Sequence, residues 1–393
     1  MFITMGQGIA GPILPLLVES KGLPALMVGF AVSAFALARV FANIPAGILT
    51  RKRGARFVLA LGALLSAIGN FCIAVIPGYI PLVLFRFVAG LGSAFFITAA
   101  IIFVAGISSH GNRGRLMTIY QGAFILGFVL GPSIGGISAS MFGLTSPFLI
   151  ISLFSSVALA WTLYKIPPEI ARVTGGVEPK NPATQPQLIS TPSSQPKGDS
   201  LFRSISYLSV NLIVFGVFFT RGGTLFNLWP LLAKRKFELT PGKIGLLLTV
   251  PSATNLAFQP FVGAMTDHFG RKAILVPTAF LFTLALLLSA ASPSIHILAM
   301  AMVIYGIAQS MAGPSANSYV ADIAPTHQQA IALATNRTFG DVGLVLGSPL
   351  LGIIADFSGI PWGLVVNSGI ILIPGLIFAM FAKSTKIRLE NRQ

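Results

Sequence analysis

The stretch Gly263-Ala-Met-Thr-Asp267-His-Phe-Gly270-Arg271-Lys272 restates, 216 residues later, the stretch Gly47-Ile-Leu-Thr-Arg51-Lys52-Arg53-Gly54-Ala-Arg56. A second pair keeps the register: Gly127, Gly131 and Gly136 recur at the same offset as Gly343, Gly347 and Gly352, and Asn43 falls opposite Gln259. Two like copies in sequence order imply two like-oriented bundles, with whatever the molecule does placed between them.

The copies sit in a chain of 393 residues that is 54% hydrophobic and 9% charged, too apolar for a soluble protein and too long for one membrane hairpin. About 20 apolar residues make one spanning helix. Twelve candidates are read near 2–18, 24–49, 56–77, 80–106, 116–140, 144–165, 205–233, 241–266, 272–291, 295–320, 330–355 and 361–382. The expected fold is an all-α integral membrane protein, its twelve transmembrane helices forming two six-helix pseudo-symmetric bundles over 1–165 and 204–393. Between them, residues 166–203 are rich in Pro, Ser, Thr, Gln and Lys and bury too little apolar surface to order themselves, which predicts a flexible cytoplasmic linker. By the repeat offset the partner of the seventh helix would begin before Met1, so the first helix is either short or recorded late.

A net charge of +16 suggests nucleic acid in a soluble chain, but its placement argues against that partner. If the first loop lies outside, the inner loops and tail hold 17 of the 26 Lys and Arg, among them Arg51, Lys52, Arg53, Arg56, Lys165, Arg271 and Lys272. The positive-inside bias then puts both termini in the cytoplasm of a multi-pass cell-membrane protein. Membrane lipids are expected partners at the basic rim. The cluster Lys234 to Lys236 falls on the outer side, with no explanation in the sequence. Cys72 is the single cysteine, so no internal disulfide forms.

Gly263 to Lys272 combines a glycine for close helix approach, an acid, a turn glycine at Gly270 and a basic pair, with Asp267 placed to pair with Arg271 or to sit at a helix N-terminus. It resembles the loop signature of the major facilitator superfamily. The first copy departs from that pattern because Arg51 stands where the family has its acid, which leaves Asp267 as the acidic part of a cytoplasmic latch. Leu84-Phe-Arg86-Phe-Val-Ala-Gly90-Leu-Gly92 resembles the family's helix-four signature, whose arginine is associated with proton coupling. The alternative for Arg86 is a structural one, bonding to neighbouring carbonyls. Gly127-Phe-Val-Leu-Gly131-Pro132-Ser-Ile-Gly135-Gly136 lines one helix face with glycine and adds a kink at Pro132. It resembles the helix-five motif of the twelve-helix proton-coupled drug antiporters, and its copy at Gly343 to Gly352 has drifted to Ser348-Pro349.

The other polar residues within the spans are few: Arg39, Arg221, Arg337, Asp341 and the amides Gln7, Asn43, Gln121, Asn227, Asn255, Gln259 and Gln309. Arg39, Asn43, Gln121, Arg221, Asn227, Gln259 and Gln309 are the candidate cavity residues. Arg337 and Asp341 lie four apart and share a helix face. Burial and the guanidinium act on the Asp341 proton in opposite senses, as a coupling site requires; the alternative is a pair that merely neutralises itself. Four arginines against one aspartate make the interior positive, which suits an anionic or neutral amphipathic substrate better than a cation.

No phosphate-binding loop ends in Lys-Ser or Lys-Thr, and the histidines show no ligand spacing, so neither ATP, a metal nor another cofactor is expected. The chain reads as a transporter and not an enzyme, a monomer whose partners are a small-molecule substrate and protons. The resemblance implies proton-coupled export of a small amphipathic molecule by alternating access. Uptake of an organic anion and a non-transporting membrane sensor are the alternatives.

Overall fold

The computed structural model describes residues 1–108, 113–166, 201, 204–325 and 328–382. The remainder of the 166–203 linker, the tail beyond 382 and the side chain of Asp267 lie outside the described residues. Among those described the chain forms twelve helical spans. In the first half they are α1 (Phe2–Glu19), α2 (Ala25–Arg53), α3 (Ala55–Val75), α4 (Tyr79–Ile107), α5 (Arg113–Phe142) and α6 (Ser146–Lys165). In the second they are α7 (Ile205–Arg235), α8 (Pro241–Phe269), α9 (Arg271–Ala291), α10 (Ile295–Ile323), α11 (Gln329–Ser358) and α12 (Ile360–Phe381). Eleven are long and apolar enough to cross a membrane. The other, α8, is diluted by Thr249, Ser252, Thr254, Asn255 and Gln259. Large apolar side chains such as Ile80, Leu153, Trp161, Phe357 and Trp362 point outward and form the belt that lipid covers.

One difference from the expected spans is the middle of α7, where Arg221–Leu228 is a π-helix between two α-helical arms. Gly222 and Gly223 sit there against the Leu344 and Gly347 carbonyls of α11. The widened turn is where two bare backbones meet, and such bulges mark functional sites more often than chance.

The glycine face of α5 packs on α1 inside the first half. A Cβ on Gly131 would lie 2.7 Å from the Cα of Gly8, and Gly127 and Gly135 meet the α1 backbone likewise. Gly343 and Gly347 meet Phe215 and Phe219 of α7 in the same way, so the drifted second copy keeps the packing. Gly136 has a different partner. It faces Pro241 and Gly245 of α8, across the two halves, and its repeat equivalent Gly352 faces Ala25 and Leu26 of α2.

The halves therefore join along two antiparallel seams, α2 with α11 and α5 with α8. In the first seam Asp356 meets Ala25, Pro349 meets Gly29, and the Ser33 hydroxyl donates to the Val345 carbonyl. In the second, Gly136 meets Gly245, and the Ser133 and Thr249 hydroxyls lie 2.6 Å apart. Every hydrogen bond and ion pair that joins the halves among the described residues lies between these helix ends and the middle of the bundle. Towards the other end the seams come apart. Gly47 and Gly263, expected to allow close approach, have nothing within 4 Å of an added Cβ, because the ends of α2 and α8 that carry them are splayed. Gly54 and Gly270 do turn the chain, at φ of 88° and 85°, a conformation that L side chains avoid.

Substituting Gly131 and Gly136 should therefore fail in different ways. Gly131→Leu overpacks a half from within and is expected to cost about 1–3 kcal/mol or more of stability, seen as a lower melting temperature in detergent. Gly136→Leu wedges the halves apart and should keep the melting temperature while raising maleimide labelling of Ala25→Cys in a Cys72→Ser background. Equal behaviour of the two variants would contradict this division.

Candidate substrate and coupling site

Where the seams diverge, α1, α2, α4, α7 and α11 enclose a cleft lined by Gln7, Phe35, Arg39, Arg86, Phe226 and Leu344 among others. Phe35 and Arg39 are one turn apart on α2 and so share a face. Gly90, one turn beyond Arg86, seats α4 against the Phe35 carbonyl. That close approach lays the Arg86 guanidinium over the Phe35 ring, 4.5 Å from its centroid, with 7% of the residue exposed. The Nε atoms of both Arg39 and Arg86 are buried without a hydrogen-bond partner. Gln7 is held by a 2.9 Å bond from Nε2 to the Ser93 hydroxyl.

Arg221 enters from the π segment of α7. Its guanidinium stacks on Phe128 of the opposite half at 4.6 Å and on Phe226 at 5.7 Å, with Tyr305 as an electrostatic neighbour. Asn227, expected to line the cavity, is fully buried instead and donates to the Ala25 carbonyl at 3.2 Å and the Ser348 carbonyl at 3.1 Å. It straps α7 to both helices of the first seam. Gln121 and Arg337 line a second cavity of about 570 Å3 towards the splayed end. Asn43, Gln259 and Gln309 line neither space.

Asp341 occupies the fork of the first seam. The register that pairs 356 with 25, 349 with 29 and 345 with 33 brings 341 to the level of 37, about half a turn short of Arg39. Arg39 of the other half and Arg337 one turn away both act on it electrostatically, and Arg39 makes no ion pair with it within 4 Å. The close ion pair anticipated between Arg337 and Asp341 does not form within 4 Å, because Arg337 turns into the open cavity. The carboxylate thus lies in the field of a guanidinium from each half without touching either. In the loop motif, Arg271 pairs with Asp322, Nε to Oδ2 at 3.1 Å, and the Lys272 amine donates to the Ala382 carbonyl at 2.6 Å.

The joined end carries two further charged contacts. Glu19 and Arg235 form a 2.6 Å ion pair, and the two positions are separated by the repeat offset of 216. Repeat-equivalent residues meet only on the pseudo-twofold axis, so opposite charges have been placed at one equivalent position. This accounts for Arg235 within the unexplained basic cluster. Asp356 accepts the N–H groups of Ala25 and Leu26, each at 2.8 Å, and so caps the start of α2. The other seam has no such cap: α8 begins at Pro241, which has no N–H, and Ser140 takes the place equivalent to Asp356.

The model of the Major Facilitator Superfamily matches residues 1–222 and again 210–392. Multidrug resistance protein 2 of Bacillus subtilis is 25% identical over 393 residues, covering 97% of this chain and 92% of that protein. The quinolone resistance protein NorA of Staphylococcus aureus is 22% identical, covering 99% and 96%. Among solved structures, the inward open xylose transporter XylE of E. coli superposes with a TM-score of 0.74 at 17% identity, over 98% of this chain and 96% of that one.

The contacts at the joined end predict graded effects. Glu19→Arg should loosen that end by up to about 1 kcal/mol, as expected of a partly exposed pair, and less at high salt. Adding Arg235→Glu should restore it, since the two positions are equivalent about the axis. Asp356→Asn should loosen it by about 1 kcal/mol through the lost charged cap. Distances between labels at positions 21 and 236 report the opening, and failure of the charge exchange to rescue would place the pair off the axis.

Proposed function

The chain belongs to the major facilitator superfamily, and on that premise we propose that it is a secondary active transporter that moves a small amphipathic molecule against proton flow by rocking its two halves. The observation that carries the reading is Asp341, a carboxylate at the fork of the α2–α11 seam that lies in the field of Arg39 from one half and Arg337 from the other. A proton there changes the attraction between the halves at the place where they part. The basic loop residues Arg51, Lys52, Arg53, Arg271 and Lys272 lie at the splayed end, which the positive-inside bias assigns to the cytoplasm. In that orientation the cleft opens to the cytoplasm and the Glu19–Arg235 end closes it from outside. Export is the direction suggested by the likeness to the multidrug and quinolone resistance proteins.

A second reading, entry of an organic anion, is favoured by the cleft itself. Arg39 and Arg86 line it and no carboxylate does. Transport in right-side-out and inside-out vesicles under an imposed pH gradient separates the two.

Asp341→Asn should abolish dependence on the pH gradient while substrate binding persists. Arg39→Gln and Arg337→Gln should each displace the pH profile of transport, because both guanidiniums act on the carboxylate. Proton-driven transport surviving in Asp341→Asn would move the coupling site elsewhere, to Arg86 with Glu19 or Asp322.

A further inference from the structure

Among the described residues Arg86 is a buried charge without an ion-pair partner. It is 93% buried by the 7% exposure it retains, no acidic side chain acts on it, and its Nε has no hydrogen-bond partner. The Phe35 ring lies 4.5 Å from the guanidinium without neutralising it. Arg39, in the same cleft, has an unpartnered Nε as well, and its only acidic neighbour is Asp341 beyond the cleft lining. Two guanidiniums thus line one small apolar cleft, each with an unpartnered Nε, and a ring contact is worth too little to offset the burial of either charge. A third group with negative charge would satisfy both. The cleft has about 30 Å3 of open space in this conformation, which accommodates a few waters or one small anionic head group, not a whole amphipathic molecule. Beside the arginines the walls are Phe35, Phe226, Leu14, Val32 and Leu344, which suit a ring or methylene chain attached to that head.

We infer that Arg86 and Arg39 form the head-group site for an amphipathic organic anion, a carboxylate, sulfonate or phosphate on an apolar body, and that the anion loads together with a proton on Asp341. The joint loading follows from competition. With Asp341 ionised, its charge competes with the ligand for the field of Arg39; with Asp341 protonated, that competition is gone. By linkage the ligand then raises proton affinity as much as the proton raises ligand affinity. The charged and titratable groups around Asp341 are Arg39 on α2 and Arg337 on α11, with Arg221 next to Arg39 and Tyr120 next to Arg337. Arginine and tyrosine side chains do not ordinarily change charge between pH 5.5 and 8, so Asp341 is the group that titrates. For this class of ligand the gradient drives entry, the second of the two readings above. The inference rests on Asp341 being the proton site.

The test uses the full chain, purified in detergent and in proteoliposomes, with three probes: naphthalene-2-sulfonate, 2-naphthylmethylammonium and inorganic sulfate. The sulfonate, charged at every pH used, should raise the melting temperature of the protein and bind several-fold more tightly at pH 5.5 than at pH 8. Arg86→Gln and Arg39→Gln should each weaken it at least tenfold, and Arg86→Lys, which keeps the charge, should recover part of the loss. Asp341→Asn should bind it tightly at both pH values. In proteoliposomes an acid exterior should draw the sulfonate inward. Tighter binding of the ammonium probe, or sulfonate binding unchanged in Arg86→Gln and Arg39→Gln, overturns the head-group site. Inorganic sulfate binding as tightly as the sulfonate overturns the amphipathic ligand in favour of a bare anion site. If the sulfonate binds with its arginine dependence intact but without pH dependence in the unsubstituted protein, the joint loading fails, and the fault lies in the reading of Asp341.

Discussion

The two halves touch backbone to backbone along two short seams at one end, and the rest of the molecule is arranged around that constraint. At Gly136 with Gly245, and at Gly29 with Pro349, no side chain separates the helices. Close approach of this kind substitutes dispersion contacts for the hydrophobic effect, which offers no driving force between helices already in lipid. The contact is tight at these residues and absent at Gly47 and Gly263, so the halves diverge from it as a wedge. The cleft, the larger cavity and the fork at Asp341 are consequences of that divergence.

Charge inside the wedge is costly. An arginine at the centre of a membrane helix costs about 2.5–3.5 kcal/mol on the insertion scale, and a cation stacked on one ring recovers about 0.5–2 kcal/mol. The contact of Arg86 with Phe35, and those of Arg221 with Phe128 and Phe226, therefore compensate only in part for the burial of the guanidiniums. Arg39 is better placed, since Asp341 acts on it across the seam.

The duplicated scaffold carries unduplicated chemistry. The packing of α5 on α1 is repeated by α11 on α7, and the seam glycines Gly136 and Gly352 are equivalent. The charged groups are not. Glu19 is matched by Arg235, Asp356 by Ser140, Arg39 by Asn255 and Asp341 by Ile125. Symmetry is kept where backbones must pack and broken at the charged positions, so that the α2–α11 seam carries Asp356, Asp341 and Arg39 where the α5–α8 seam carries Ser140, Ile125 and Asn255.

The twelve spans, the repeat and the turn at Gly270 were legible in the sequence because each is a local property: a run of apolar residues, a fixed offset, a glycine at a positive φ. The crowding at Gly131 was legible for the same reason, since glycines four apart share one face whatever they meet. What they meet was decided by tertiary structure, which put Gly127, Gly131 and Gly135 on α1 and only Gly136 on the opposite half. The π segment of α7 was hinted at by Gly222-Gly223 but depends on the approach of α11. Phe35, Phe128 and Phe226 read as ordinary apolar residues in a chain rich in phenylalanine, and only the bundle brings their rings to the arginines. Asp341 was visible as a rare buried acid, and helical spacing offered Arg337 as its partner; the other guanidinium that acts on it, Arg39, lies 302 positions away in the sequence. Periodicity fixes which residues share a helix face. It carries no information on which face of another helix will lie opposite, because that depends on the packing of all twelve.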